Sequence, residues 1–400
     1  MEEWKEYRLG DCLEALIDYR GKTPKKTSFG IPLITAKIIK NGQIEPPTEY
    51  IAEKDYDLWM VRGLPKEGDV VLTTEAPLGE VAQLGNQKIA LAQRVVTMRG
   101  KKGFLNNTYL KYFFLSNEGQ GRLRARETGT TVTGIKQSEL REVKITCPSY
   151  EIQKKIANIL SSLDDKIEVN RKINSNLEEQ AKAIFQSWKK RIKELPHSSI
   201  NLSEVARFIG GYSYKGNELQ PSSQAMATIK NFERKGGFKV DGYKEIIPSE
   251  KIKQEQYAKV YDILVAHTDL TQNADVIGNA EMILSKGSHN RILFSMDLVK
   301  VEPKQNFPYR YFLIALLQDN AFKSHCLGYV NGTTVLHLSK KALPDFVFDI
   351  PTDRKLIEQI NLLLSYYYQK RAEIMTESSD LASLRNVLLP RLMSGELVVR

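Results

Sequence analysis

The chain has 400 residues, 42% of them apolar and 26% charged, with 58 Lys and Arg against 48 Asp and Glu, a formal net charge of +10. This length suits two or three globular domains with sizeable cores, and the basic balance favours a polyanionic partner. Three cysteines (Cys12, Cys147, Cys326) without paired spacing argue against a disulfide scaffold and for a reduced, cytoplasmic setting. The start, Met1-Glu2-Glu3-Trp4-Lys5, is too polar for a signal peptide, and the longest apolar run, Phe312–Leu317, is too short to span a membrane.

In chain order, short β-type runs are expected at Pro32–Thr35, Asp69–Thr73, Arg94–Met98 and Val143–Thr146, with a helix over Thr108–Ser116. After Pro148 the apolar period changes from two to 3.5. Ile156, Leu160, Leu163, Ile167, Asn170, Asn174, Leu177, Ala181, Ile184 and Trp188 step by four and three as a heptad seam, which predicts a helix of roughly 50 Å at about 1.5 Å per residue. Pro196 and Ser198-Ser199 mark the junction that follows. The β-type order then returns at Ala227–Ile229, Asp262–Val265 and Leu298–Val301, a helix at Tyr309–Gln318 and a strand at Phe346–Ile350. A second seam runs through Leu356, Ile360, Leu363, Tyr367, Lys370, Ile374, Glu377, Leu381, Leu384 and Leu388, and Gly395 suits a helix stop.

These two halves are one text written twice. Leu9, Lys37 and Asp69 recur 193 residues later as Leu202, Lys230 and Asp262. Gly129-Thr130-Thr131-Val132 recurs 203 residues later as Gly332-Thr333-Thr334-Val335, so the second copy has gained ten residues near Thr268–Asn290. A period near 200 indicates a duplicated domain rather than a solenoid. The expected organisation is a mixed α/β domain over 1–148, a helix over 149–196, a second α/β domain over 197–351, and a helix and tail over 352–400. The seams suit either an antiparallel coiled coil between the two helices or two surface helices, each packed on its own domain. Their central polar residues would fix register at a cost in stability.

Catalytic motifs are incomplete. Gly21-Lys22-Thr23 resembles the end of a phosphate-binding loop, but Leu16 stands where its first glycine belongs. The five histidines (His197, His267, His289, His325, His337) lack metal-ligand spacing. What remains are loops rich in side chains that neutralise phosphates or pair with base edges. In the first copy these are Lys22, Thr23, Lys25, Lys26, Thr73, Thr74, Gln93, Arg94, Arg122, Arg124 and Arg126. In the second they are Tyr212, Lys215, Lys230, Asn231, Arg234, Lys235, His267, Thr268, Gln272, Asn273, His289, Asn290, Arg291 and Asn331. The identical Gly-Thr-Thr-Val reads as a shared turn, since a surface that reads different bases should differ between copies.

Pro148-x-x-Glu151-Ile152-Gln153-Lys154-Lys155-Ile156-Ala157-x-Ile159-Leu160-x-x-Leu163-Asp164 resembles the junction between target recognition domain and conserved helix in specificity (S) subunits of type I restriction–modification systems. Leu388-Leu389-x-x-Leu392-Met393-Ser394-Gly395-Glu396-Leu397 is similar to that family's ending, and Leu9-Gly10-Asp11 with Gly21-Lys22-Thr23-Pro24 to its start. The second junction, Pro351-x-Asp353-Arg354-Lys355-Leu356, departs by lacking the Glu-x-Gln of the first.

The resemblance implies a non-catalytic subunit whose two domains each read half of a bipartite DNA site, with the helix pair setting their separation. It also implies docking to methyltransferase (M) subunits and association with restriction (R) subunits. S-adenosylmethionine, ATP and Mg would belong to those partners, with no cofactor or metal in this chain. A stand-alone nucleic-acid-binding regulator is the alternative, and a self-contained methyltransferase or nuclease a third.

Overall fold

The computed structural model describes residues 4–19, 21, 23–129, 133–234, 236–271 and 273–399. It divides into two units: residues 1–166 with 381–400, and residues 167–380.

In the first unit, strands Leu13–Asp18, Val95–Gly100, Val70–Thr74 and Leu78–Gln83 form one antiparallel sheet in that order. Every residue of Val70–Thr74 is buried. The strand's period of two sends alternate side chains to opposite faces. Val70 and Leu72 join a core with Tyr109, Phe113 and Leu123, while Val71 joins another with Ala82 and Val95. A smaller sheet pairs Ile31–Ile34 in parallel with Ala90–Leu91, placing Leu33 opposite Ala90. Lys5–Arg8 pairs with Lys144–Cys147 and ties the first strand to the last.

The second unit repeats this plan. Ala206–Gly210, Leu298–Pro303, Ile263–Ala266 and Ala280–Met282 form its main sheet. Gln224–Ala227 pairs in parallel with Arg291–Phe294, and His197–Asn201 pairs antiparallel with Val347–Pro351. Ile263 and Val265 enter one core, Leu264 and Ala266 another. A turn closed by an aspartate also recurs: Asp69 Oδ2 accepts the Lys66 amide at 2.8 Å, and Asp262 Oδ2 the Lys259 amide at 2.9 Å.

Register locates the ten-residue insertion. Eight residues (73–80) join the rungs Leu72–Val81, against fourteen (266–279) between Val265 and Ala280. Six residues (84–89) then precede Ala90, against ten (283–292) before Leu293. The second domain therefore carries a longer loop at one end of its main sheet.

The long helices span Tyr150–Ile192 and Lys355–Met393. Each anchors to the domain before it. Buried Gln153 accepts the Asn106 amide at 2.9 Å and donates to Phe104 O and Pro148 O, both at 3.0 Å. The second junction lacks this glutamine and uses Asn361, whose Oδ1 accepts the Tyr311 and Phe312 amides at 3.0 and 3.1 Å. Each bond set satisfies amides at the start of a domain helix, which would otherwise be orphaned.

The helices meet antiparallel. In the second unit Asn170 Nδ2 donates to Glu377 Oε2 at 2.8 Å, and Arg371 binds Glu178 at 2.5 Å and Asn174 Oδ1 at 3.3 Å. In the first unit Asp164 accepts from Arg385 at 2.7 Å and from the Tyr112 hydroxyl at 2.6 Å, with Lys111 at 3.6 Å. Ile156, Leu160 and Asn170 are buried, Leu163, Ile167, Asn174, Leu177, Ile184 and Trp188 half-buried.

The second seam needs a correction. Ile360 and Ile374 are buried and Tyr367, Leu381 and Leu388 half-buried, but Leu363 and Leu384 are 46% and 47% exposed. Ile357, Leu364, Tyr368, Arg371 and Ala372 are buried instead. This helix also packs on its own domain, where the Tyr368 hydroxyl donates to Gln318 Oε1 at 2.9 Å, so its buried stripe is rotated from the heptad reading.

Candidate nucleic-acid interface

At one end of the first main sheet, the Thr73 hydroxyl donates to Pro77 O at 2.6 Å and accepts the Glu80 amide at 2.9 Å. Thr74 donates its amide to Arg94 O at 3.0 Å and accepts that of Ile135 at 2.9 Å through its carbonyl. Both threonines are buried, so they shape this end rather than reach out from it. Beyond them Gly134 bridges both Glu75 and Thr128, closing a hairpin base. Exposed Arg94 binds Glu75 at 2.9 Å, and the Thr23 hydroxyl donates to Gln93 Oε1 at 3.2 Å. Lys25 is exposed, and Lys26 pairs with Glu49 at 2.8 Å.

The second domain builds the same base with other side chains. Thr268 and Asn331 both pair with His337. These rungs stand where Glu75, Thr128 and Gly134 stand in the first copy, at offsets of 193 and 203. Gly129 and Gly332, each one residue past the rung, have φ of +108° and +106°. This is a region that favours glycine, and a Cβ on Gly332 would meet Val335 O at 2.3 Å. Thr268 is buried, with its hydroxyl 3.4 Å from His337 Nδ1, whereas Asn331 and His337 are exposed. Burial, with neighbouring His337 and Lys340, holds the His267 pKa below its ordinary value. The imidazole is therefore neutral near neutral pH and able to accept as well as donate.

Asp269 folds the inserted loop by accepting the Thr271 and Val276 amides at 2.7 and 2.6 Å. Exposed Arg234 reaches this loop at Asp275, 3.6 Å away, and Asn273 is exposed on it. Buried Asn231 is spent internally, accepting the Thr228 amide at 2.9 Å and donating to Lys239 O at 2.7 Å. Lys230 is exposed beside it.

His289, Asn290 and Arg291 belong to a separate place, at the second sheet. There His289 meets the Tyr243 ring edge-on, Asn290 donates its amide to Ser223 O at 2.8 Å, and Arg291 lies 5.7 Å from the Tyr257 ring centroid. Tyr212 is buried, donating to Glu218 at 2.7 Å, and Lys215 is exposed near Glu250. Bonds from the Ser249 hydroxyl and the Lys215 and Ser249 amides hold Glu218 down at about 2.

The Arg122, Arg124, Arg126 run is not one loop surface. The Ser116 hydroxyl accepts the Gly119 amide at 3.1 Å and caps a helix, Asn117–Arg124, on which alternate residues point apart. Arg122 is bound by Glu6 and Glu118 at 2.8 and 2.6 Å, and Arg126 by Glu139 at 2.9 Å. Arg124 is exposed with no side-chain hydrogen bond or ion pair among the described residues. Lys22, Lys235, Gln272 and the Thr130-Thr131-Val132 part of the repeated turn lie outside the described residues. Thr128, Gly134 and His337 are not among the candidates read from the sequence, although the repeat offsets mark Thr128 with Asn331 and Gly134 with His337 as equivalent positions with divergent side chains.

Among the described residues, no three or more His, Cys, Asp or Glu side chains gather as metal ligands, and no helix is long and apolar enough to cross a membrane.

Residues 1–179 match the family described as type I restriction modification DNA specificity domain. Over the whole chain the sequence is 24% identical to the type I restriction enzyme MjaIX specificity subunit of Methanocaldococcus jannaschii and 22% to that organism's MjaVIII specificity subunit, covering 94% of each. The solved S subunit of a type I restriction–modification system from M. genitalium shares the fold with a TM-score of 0.58 at 18% identity, over 98% of this chain and 96% of that one. With a duplicated mixed α/β domain, two long antiparallel helices and relatives aligned from end to end, this chain is similar throughout to the specificity subunits of type I restriction–modification systems, and its residues 1–179 belong to their DNA specificity domain family.

Proposed function

We propose that residues 1–148 and 197–351 each read one half of a bipartite duplex target, and that the helix pair sets the spacer between halves. The observation that carries this reading is the repeated hairpin base. One backbone frame presents Glu75, Thr128 and Gly134 in one domain and Thr268, Asn331 and His337 in the other. Shared scaffold with divergent side chains, Thr128 exposed beside half-buried Glu75 in one domain and Asn331 and His337 exposed in the other, is what two reading heads for two half-sites require, since base edges are told apart by their donor and acceptor patterns.

In the same proposal this cytoplasmic chain is non-catalytic, and S-adenosylmethionine, ATP and Mg act on the methyltransferase and restriction subunits. The methyltransferase subunits dock on the long helices, where Leu362, Leu363 and Tyr366 are 70%, 46% and 63% exposed on one helix and Val169 and Ile173 48% and 41% on the other. Exposed apolar side chains clustered on a helix mark a protein-binding face.

Methylation-sensitive sequencing of the host genome with and without this gene tests the reading. One bipartite motif is expected to lose its methylation, and exchanging residues 197–351 for the equivalent domain of a relative should change one half of it. An unaltered methylation pattern, or a change in both halves, would overturn the proposal.

A further inference from the structure

The second domain has a charged groove of about 940 Å³ beside its main sheet. Five cations line it (Arg207, Lys253, Lys259, Lys300 and Arg310) against three carboxylates, Glu255, Asp262 and Glu302. Two of those carboxylates are engaged: Glu302 binds Arg207 at 2.5 Å, and Asp262 lies 3.5 Å from Lys300. Lys253, Lys259 and Arg310 make no side-chain hydrogen bond or ion pair among the described residues. Arg310 is half-buried, so a guanidinium has lost part of its water without gaining an acceptor. That arrangement favours an anion arriving from outside.

The first domain places other side chains at the equivalent positions. By register Thr97 takes the rung of Lys300, and Arg99 stands 203 residues before Glu302. Arg99 is consumed by Asp69, at 2.8 and 2.7 Å, and Thr97 is buried. Asn107 stands 203 residues before Arg310, and its Oδ1 accepts the Gly100 amide at 2.7 Å. Lys66 matches Lys259, but Met60, Thr97 and Asn107 stand where the second domain has Lys253, Lys300 and Arg310.

We propose that this groove is a backbone-phosphate site for duplex DNA, used by the second domain beside its reading loops, with Lys253, Lys259 and Arg310 as the phosphate contacts. This rests on the reading of the chain as a DNA-recognition subunit. Tyr257, which lines the groove, lies beneath Arg291, so the groove continues from the candidate loop His289–Arg291. A protein partner would need an apolar centre to bury, whereas a phosphate strand needs only cations spaced along it, and the exposed rim at Arg207, Lys253, Glu255 and Lys259 is charged.

The test compares the assembled full-length protein with its Lys253→Gln, Lys259→Gln, Arg310→Gln variant, binding a fluorescent mixed-sequence duplex across a salt series. Each phosphate contact contributes about 0.9 to the slope of log affinity on log salt, so the variant's slope should be shallower by about 2 to 3. The methylated motif should not change, because phosphate contacts carry no base identity. An unchanged slope at an unchanged melting temperature would overturn the proposal, as would an altered motif. Loss of co-assembly with the methyltransferase subunit at an unchanged slope would assign the groove to a protein instead. If the triple variant fails to fold, the exposed Lys253→Gln and Lys259→Gln changes alone should each remove about one unit of slope. Non-specific binding is read independently of the motif, so failure of the bipartite reading and failure of the groove give different results.

Discussion

Lys323 Nζ lies 2.9 Å from Asn279 Oδ1 and also donates to the carbonyls of Ala274 and Asp275, at 3.2 and 3.1 Å, and of Ile277. One ammonium thereby gathers four oxygens from the end of the inserted loop. Gln120, 203 residues earlier, holds the shorter return of the first domain by donating to Gly79 O at 2.8 Å and Phe114 O at 2.6 Å. Gly79 and Gly278 are the matching points of approach, where a Cβ would meet Gln120 Oε1 at 2.6 Å and Cys326 Cβ at 2.7 Å. The longer loop offers more carbonyls, and a charged donor replaces a neutral one to hold them.

Lys323→Met should therefore free residues 267–279 while leaving the first domain untouched. Hydrogen bonds from a charged donor are worth about 1.5–3 kcal/mol, so a stability loss of that order is expected in the second unit. Hydrogen exchange of the loop amides is the direct measurement, with faster exchange confined to this segment. Unchanged exchange would mean that Asp269 and its turn suffice to hold the loop.

Glu281 supplies a pH dependence. It is buried, and burial, with the negative charge of Glu178, raises its pKa from 4.5 to about 7, against the opposing Gly237 amide, Arg371 and Lys182. A raised folded-state pKa means that the folded chain holds a proton the unfolded chain has released. The stability it contributes is fully present below about 4.5 and is lost as pH rises through about 7. Denaturant midpoints should fall across that window and fall less in Glu281→Gln, with the gap reaching on the order of 3 kcal/mol at the alkaline end. Parallel profiles for the two proteins would remove Glu281 as the source.

Arg122 and Arg124 should separate cleanly. Arg122 also donates to Lys144 O and Thr146 Oγ1, each at 3.0 Å, so Arg122→Ala should cost about 1–2 kcal/mol of stability with little change in the salt slope of DNA binding. Exposed Arg124 should behave in the opposite way, leaving stability within about 0.5 kcal/mol and lowering the slope by about 1. A slope that responds only to Arg122→Ala would reverse this assignment.

The duplication, the main strands and the long helices were legible because repeat offsets and apolar period survive loop divergence. Val70-Val71-Leu72 announces a buried strand, whereas Leu78-Gly79-Glu80-Val81-Ala82-Gln83 does not. Gly79 and Ala82 have weak strand propensity, and that strand exists because Val70–Thr74 pairs with it. Leu362-Leu363-Leu364 fits a heptad seam at more than one phase. Only the helix's packing on its own domain selects Leu364 for burial and leaves Leu362 and Leu363 outside. The arginine run misled for a related reason: alternation means one face on a strand and divergent faces on a helix.

The helix pair offers the most direct test of spacing. Asn170–Glu377 and Arg371–Glu178 flank Asn174, so an insertion after Asn174 leaves the first contact in register and displaces the second. Four added residues lengthen the helix by about 6 Å, close to two base-pair steps of about 3.4 Å. They also enter the heptad as a stutter, which the coil absorbs by local unwinding. Losing the Arg371–Glu178 pair, whose charges are largely buried, should cost about 3 kcal/mol unless a new carboxylate follows it. An insertion with Glu as its fourth residue supplies one, because that residue takes the position Glu178 held relative to Asn174. The expected result, read by methylation-sensitive sequencing, is a motif with the same two halves and a longer unread spacer. A functional insertion variant with an unaltered spacer would show that spacing is set elsewhere than in these helices.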